Sequence, residues 1–313
     1  EPAATETREN KVIYGSSTEI SGDLGNAWWT NNASDKAVRD LINDYDTVIF
    51  DQFGQMVMNQ TTAASIDETK NDDGTLTFTV KINEGLTYNN GEPITAADYV
   101  AYALVQLSPA TKEAGATVTA NSVFGGPEYQ NGETKELAGV RLLDPYTYSI
   151  QIAADYANYY YAFSYASLSP LYLPMYASAD LTVKDDGNGV YLTDNFYAKS
   201  GDSYTMAAHI KATSKDTDTT KYPYSGPYVV ESYDASTKTA VLKKNTYYKG
   251  NFENAKPAIE KIVYKKVVSE TQLEDLKSGG VDVLMGVTGG DATKEALKLI
   301  DTSNGKFASV NYS

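Results

Sequence analysis

Hydrophobic and polar positions alternate most cleanly just after Gly74, where Leu76, Phe78, Val80 and Ile82 interleave with Thr77, Thr79, Lys81 and Asn83. A period of two sends one set to a core face and the other to water, so the spacing predicts a half-buried strand. Glu84-Gly85 and Asn89-Asn90-Gly91 then interrupt the pattern with turns. At Thr95-Ala-Ala-Asp98 the signal becomes helical: the Thr95 hydroxyl can accept from the Asp98 amide while the Asp98 carboxylate reaches back, a short variant of the capping box. Val100, Leu104 and Leu107 supply that helix's buried stripe. Ser108-Pro109 ends it, because a residue before proline avoids the helical region.

Other stretches follow the same two periods. Lys11-Val-Ile-Tyr14 predicts a short strand that opens into a Gly- and Ser-rich loop over residues 15–25. Such a loop lies at the end of a sheet, where ligands of open α/β folds bind. Val38, Leu41 and Ile42, beside Asp35 and Asp40, fit one amphipathic helix. After the Asp144-Pro145 turn, Tyr148, Ile150 and Ile152 mark a second half-buried strand, and aromatics crowd 156–176. Residues 180–220 are polar, with Asp185-Asp186-Gly187-Asn188-Gly189 and 216–220 reading as surface loops. Residues 228–233 and 239–243 form a hairpin pattern around the longer loop 234–238. A β-branched strand at 262–268 precedes Ser269-Glu-Thr-Gln272, which reads as a second capping box. Leu273 and Leu276 line a short helix, Gly279-Gly280 stops it, and 281–285 reads as a buried strand. Strand, helix and strand in that order require a crossover and parallel pairing, which places this region in an α/β sheet.

Composition narrows the partners. The 313 residues exceed the usual prior of roughly 100–200 per domain, so two lobes or more are expected. A net charge of -15, from 41 acidic and 26 basic residues, repels phosphate backbones and anionic lipid heads, which argues against a nucleic-acid partner. With no cysteine there is no thiolate chemistry and no disulfide. No apolar run approaches the roughly 20 residues needed to cross a bilayer. Residues 1–10 are polar and aperiodic, as in a flexible leader that could follow a cleaved signal or lipid anchor. The 26 tyrosines suit an exported, strand-rich surface protein or a bias of the lineage.

Four ordered blocks carry a family likeness. The run from Leu76 to Val100, through Gly85, Tyr88, Gly91, Pro93 and the Thr95-Ala-Ala-Asp98 helix start, resembles the signature of the bacterial extracellular solute-binding proteins of family 5. These are the oligopeptide-, dipeptide- and nickel-binding receptors of ATP-driven importers. Ser225-Gly-Pro-Tyr-Val229 is similar to the family's Gly-Pro-Tyr strand, and Leu242-Lys-Lys-Asn-Thr-Tyr-Tyr248 to the segment that continues it. Leu276-Lys-Ser-Gly-Gly-Val-Asp282 resembles the family's Leu-x-x-Gly-x-x-Asp segment. The likeness spans most of 11–287 and is weak at 50–70 and 180–220.

The resemblance implies a two-lobed, type II periplasmic-binding-protein-like α/β architecture. Lobe I would comprise 11–55 and 166–287, its inserted subdomain 56–165, and the start of lobe II 288–313. Family chains are considerably longer, so the resemblance also implies a chain cut short soon after it crosses to lobe II. A monomeric receptor is expected, extracellular or periplasmic, with a peptide or similar solute as ligand, membrane permease subunits as partners and no cofactor. Ligand-binding candidates follow from location: Glu19, Ile20 and Ser21 at the cleft edge, where an extended peptide could pair as an added strand. Trp28 and Trp29 are the only tryptophans, able to stack on a ligand or to serve as core. Tyr165 and Ser167, in the 165–172 segment near the hinge, are candidates for the cleft wall or for ordinary packing.

Two other classes compete. A carboxylate-based glycoside hydrolase needs two acids roughly 5–10 Å apart, a separation that sequence does not give. His209 is the only histidine, so neither a catalytic triad nor a multi-histidine metal centre can be built. Asp216-Thr-Asp218 opens like a calcium loop, but its twelfth position is Pro227 instead of a glutamate. A surface adhesion module would fit the Tyr, Thr and Asn content, whereas the strand-helix-strand unit argues for α/β.

Overall fold

The computed structural model describes residues 10–25, 28–29, 32–176, 181–214 and 221–310. Nine of the ten residues expected as a leader, the Asp216–Asp218 stretch and the last three residues of the expected start of lobe II lie outside these. Asn10 is tied in: its side chain donates to the Ala258 carbonyl at 3.2 Å, and its own carbonyl accepts from Glu260 and Lys261.

The chain opens with β1 (Lys11–Ser16), α1 (Ala33–Ile42) and the short antiparallel pair β2 (Val48–Phe50) and β3 (Met56–Met58). It continues through β4 (Ala63–Lys70), β5 (Leu76–Ile82), α2 (Ala96–Gln106), α3 (Pro109–Glu113), α4 (Gly126–Gln130), β6 (Val140–Asp144), β7 (Thr147–Ile152) and α5 (Ala154–Ala157). Strands β4, β5, β7 and β6, in that order, make an antiparallel sheet. Leu76, Phe78, Val80 and Ile82 are all buried, each contributing about 1.5–3 kcal/mol of hydrophobic stabilisation before conformational entropy is set against it. At the start of α2 the Asp98 carboxylate accepts both the Thr95 amide, at 2.8 Å, and the Thr95 hydroxyl, at 2.9 Å.

Then follow the hairpin β8 (Val183–Asp185) and β9 (Val190–Leu192), the two-residue strands β10 (Lys199–Ser200) and β11 (Ser203–Tyr204), and α6 (Met206–Ser214). The polar stretch 180–220 thus carries secondary structure on either side of its first expected loop. Its turn falls at 186–189 as expected, but Val190, Leu192 and the following Phe196 are buried, the hairpin packing against α2 and β6. His209 sits exposed on α6.

The final part is β12 (Tyr228–Asp234), β13 (Thr239–Lys244), β14 (Lys261–Lys266), α7 (Gln272–Ser278), β15 (Val283–Met285) and α8 (Gly290–Thr302). With β1 they build a five-stranded sheet in the order β12-β13-β14-β1-β15. The crossover through α7 brings β15 parallel to β14, with β1 inserted between them and parallel to both. Two expectations are corrected here. Ser269 does not cap α7, which starts after Thr271 with no side-chain cap bond, and β15 is half-buried because it is the sheet's edge. Gly279 ends α7 in the left-handed region as the sequence predicts.

The two sheets are fastened along one seam. Gly226 donates to the Ile42 carbonyl at 2.8 Å, and a Cβ there would lie 2.3 Å from the Ile42 carbonyl carbon. Ser225 accepts the Asp44 amide and donates to the Asp44 carbonyl. Tyr45, fully buried, holds a φ of 71°, a conformation bulky residues rarely adopt. The Tyr45 ring stacks on Tyr248 at 5.4 Å, its hydroxyl accepts the Lys249 amide, and its carbonyl accepts the Tyr99 hydroxyl.

Candidate functional site

Three parallel strands end side by side. Ser16 is in register with Lys266 on one flank and Met285 on the other. The segments that leave them, 17–25, 267–271 and 286–289, therefore share the carboxyl edge of the sheet, the place where open α/β sheets bind ligands. Gly15 is required for strands this close: a Cβ would meet Val267 at 2.9 Å, Val281 at 3.0 Å and Leu284 at 3.1 Å.

The first loop is held against α1 by short polar contacts. Asn32 caps the helix, its side chain accepting the Ser34 and Asp35 amides, and it donates to the Glu19 carbonyl at 2.9 Å. Ser34 bonds to Ser16 and donates to the Thr18 carbonyl at 2.7 Å. The buried Asp35 carboxylate accepts the Ser21 amide at 2.8 Å, the Gly22 amide at 3.3 Å and the Ser21 hydroxyl. Ile20 is buried, and its carbonyl accepts the Tyr233 hydroxyl at 3.2 Å. At the exposed rim Glu19 pairs with Lys266, whose hydrogen bond and charge hold the Glu19 carboxyl below its ordinary pKa.

The tryptophans follow the same loop. Trp28 is only 2% exposed, with its ring 6.0 Å from both Tyr102 and Tyr176, and its carbonyl accepts the Thr117 amide. Trp29 is half-buried, and its indole donates to the Ala114 carbonyl at 3.2 Å. Trp28 is thus part of the core, and Trp29 is the member of the pair that retains exposed surface.

Tyr165 and Ser167 lie elsewhere, at the seam beside β2. Tyr165 packs edge-on against Tyr156 at 6.0 Å, and Ser167 donates to the Val48 carbonyl at 2.8 Å. Among the described residues no hydrogen bond or ring contact joins them to residues 19–29. Asn32, Ser34, Asp35, Tyr233 and Lys266, which shape the edge, were not among the expected site residues. Asn32-Ala-Ser-Asp35 did carry a signal, an Asn cap followed by an acid in the first turn.

A mixed sheet with a loop-lined parallel edge, fastened to an antiparallel subdomain, is the class of fold these elements define. The chain belongs to the bacterial extracellular solute-binding proteins, family 5, whose middle-region profile matches residues 60–312. No individually curated protein sequence matches it. Among solved structures it is similar to Haemophilus influenzae OppA in complex with the peptide RPPGFSPFR, with a TM-score of 0.63 and 18% identity over 96% of this chain and 50% of that one. Listeria monocytogenes OppA bound to peptide gives a TM-score of 0.60 and 18% identity over 87% of this chain and 46% of that one. The periplasmic oligopeptide-binding protein OppAIV from Borrelia burgdorferi gives 0.64 and 16% over 92% and 49%. The chain spans about half the length of the solved structures it matches.

Proposed function

We propose that this chain forms the first lobe, and the beginning of the second, of an extracytoplasmic receptor that captures a peptide and hands it to an ATP-driven importer. One observation carries the reading: an ordered loop at the carboxyl edge of parallel strands, in a fold shared with peptide-bound OppA structures. On this reading residues 11–55 and 166–287 are lobe I, 56–165 its inserted subdomain, and the chain crosses to lobe II near 288. Glu19, Ile20, Ser21 and Trp29 sit on or beside the cleft edge, with Trp28 supporting them from behind. Tyr165 and Ser167 then serve the hinge side. Function requires lobe closure, which shifts an open-closed equilibrium by differential contact with the ligand, and no bond in the ligand is broken. The working partners are permease subunits at the membrane. A lipid anchor ahead of the polar leader would keep the receptor beside them, since none of the described helices is long and apolar enough to cross a bilayer.

A thermal-shift screen of the full-length protein against peptide and sugar pools tests this. Stabilisation by peptides, with no turnover of them, is the expected result. Stabilisation by sugars alone, or by nothing, would remove the peptide assignment.

A further inference from the structure

A recess of about 460 Å³ opens along the flank of α1, at the seam between the two sheets. Asp46 lies in it, just past the left-handed Tyr45, and Ser169 donates a short hydrogen bond to one of its carboxylate oxygens. Backbone strain of this kind collects where a fold fixes a functional group. The position is rigid: the Thr47 amide donates to the Leu168 carbonyl at 3.2 Å, and the Thr47 hydroxyl donates to the Ala166 carbonyl at 2.7 Å.

Two cations, Lys36 and Arg39, also line the recess, and their bonds run to other partners. Lys36 pairs with Asp40 at 2.5 Å, and Arg39, 5% exposed, donates to the Asp23 carbonyl at 2.6 Å. Neither is bonded to Asp46. Burial raises the Asp46 carboxyl to about 6 against the Ser169 hydrogen bond, the charges of Asp44 and Asp40 add to the rise, and Lys36 opposes it. A recessed carboxylate without a bonded cation gains most from a ligand that brings one.

The remaining walls suit the body of such a ligand. Tyr88 and Tyr172 meet edge to face at 5.4 Å, and Tyr102 stands beside Ser169. Leu171, Met175 and Pro223 supply apolar surface. Tyrosine faces attract ammonium groups, by about 0.5–2 kcal/mol depending on desolvation. The Tyr88 hydroxyl is held by Asp98 and that of Tyr172 by Glu92, which fixes both rings.

We infer that this recess, which Gly25 of the loop after β1 also lines, is a second ligand site beside the Glu19–Ser21 stretch, for a small organic cation: a primary amine on a ring or short apolar body, its ammonium on Asp46. The residues that carry the inference, Asp46, Ser169, Tyr88 and Tyr172, all lie in the chain described, so the test can be run on it directly. Isothermal titration of the chain with benzylamine, and with benzyl alcohol as the uncharged counterpart, provides the test. Saturable benzylamine binding at about pH 8 is expected, at least about ten-fold tighter than benzyl alcohol and at least about ten-fold tighter than in Asp46→Asn. Binding should weaken toward about pH 5 as Asp46 takes up a proton. Ser169→Ala removes the hydrogen bond that holds this carboxyl down, so the midpoint of the pH dependence should move upward. Equal affinity for the amine and the alcohol in the unmodified chain, unchanged affinity in a folded Asp46→Asn, or no saturable binding would each overturn the inference. The amine-alcohol comparison needs no variant, so it decides even where Asp46→Asn fails to fold.

Discussion

The Asp35 carboxylate accepts the Ser21 backbone amide at 2.8 Å, so a single acid in the first turn of α1 sets the path of the loop that leaves β1. It also accepts the Gly22 amide and the Ser21 hydroxyl. Asp35→Ala leaves these donors without their acceptor and is expected to cost about 2–3 kcal/mol in urea denaturation. Asp35→Asn keeps one acceptor oxygen and should cost about half as much. Hydrogen exchange at the Ser21 and Gly22 amides should rise in both variants, while the amides of β5, in the other sheet, keep their protection. Unchanged exchange at Ser21 would show that the loop is held by something else.

Gly15 lets β1 pass between its neighbours. Three side-chain carbons of Val267, Val281 and Leu284 stand within 3.1 Å of where a Cβ would be. Gly15→Ala overpacks that point, with an expected loss of about 1–3 kcal/mol. Adding Val281→Ala to the variant should recover part of the loss, because it empties one of the three contacts. A double mutant whose cost is the plain sum of the two singles would show that the contact is not shared.

The fold was legible where burial is one-sided and periodic. Leu76 to Ile82 and the Thr95 helix start could be placed from spacing because each element announces its own core face. The β8–β9 hairpin could not, since a few apolar residues in a polar stretch become core only when α2 is already there to be covered. Edge or centre is likewise a property of the assembled sheet, so the half-buried state of β15 was hidden in an apolar run. At the candidate edge, the stretch 19–29 was located from its place after the first strand. Aromatic composition left open whether Trp28 or Trp29 faces outward, because the tyrosines that enclose Trp28 come from 102 and 176. The Asp46 recess draws on segments more than a hundred residues apart and left no local trace.

Arg141 and Asp185 fasten the β8–β9 hairpin to β6. The guanidinium donates twice to the carboxylate, both bonds at 2.8 Å, and the Leu142 and Gly187 amides add two more. Burial alone would raise the Asp185 carboxyl, but the Arg141 hydrogen bonds and these amides hold it below its ordinary pKa. A carboxyl depressed in the folded state contributes stability above its unfolded pKa and loses it as the pH falls through the folded value. The pair is partly open to water, so Asp185→Asn is expected to cost only about 1–2 kcal/mol at neutral pH, and less in acid. Denaturant midpoints of the two proteins should therefore converge on acidification; a constant gap would assign the loss to geometry instead of charge.

Asp46 behaves in the opposite sense. Its carboxyl is raised from 3.8 to about 6, chiefly by burial against the opposing Ser169 hydrogen bond. Between those values the folded chain binds more protons than the unfolded chain, so stability falls as the pH rises across that window. The difference of about two units corresponds to at most about 3 kcal/mol, reduced by whatever water the recess admits. Burial also raises the carboxyls of Asp44 and Asp98, which makes the whole pH profile a composite. The difference between the unmodified chain and Asp46→Asn isolates the one group. Asparagine can still accept from Ser169 and has no charge to bury, so the variant should match the unmodified chain near pH 4 and exceed it by about 1–3 kcal/mol above about pH 7. Urea denaturation at the two pH values measures this. A variant less stable than the unmodified chain at neutral pH would mean that the ionised carboxylate already has a favourable partner in the recess.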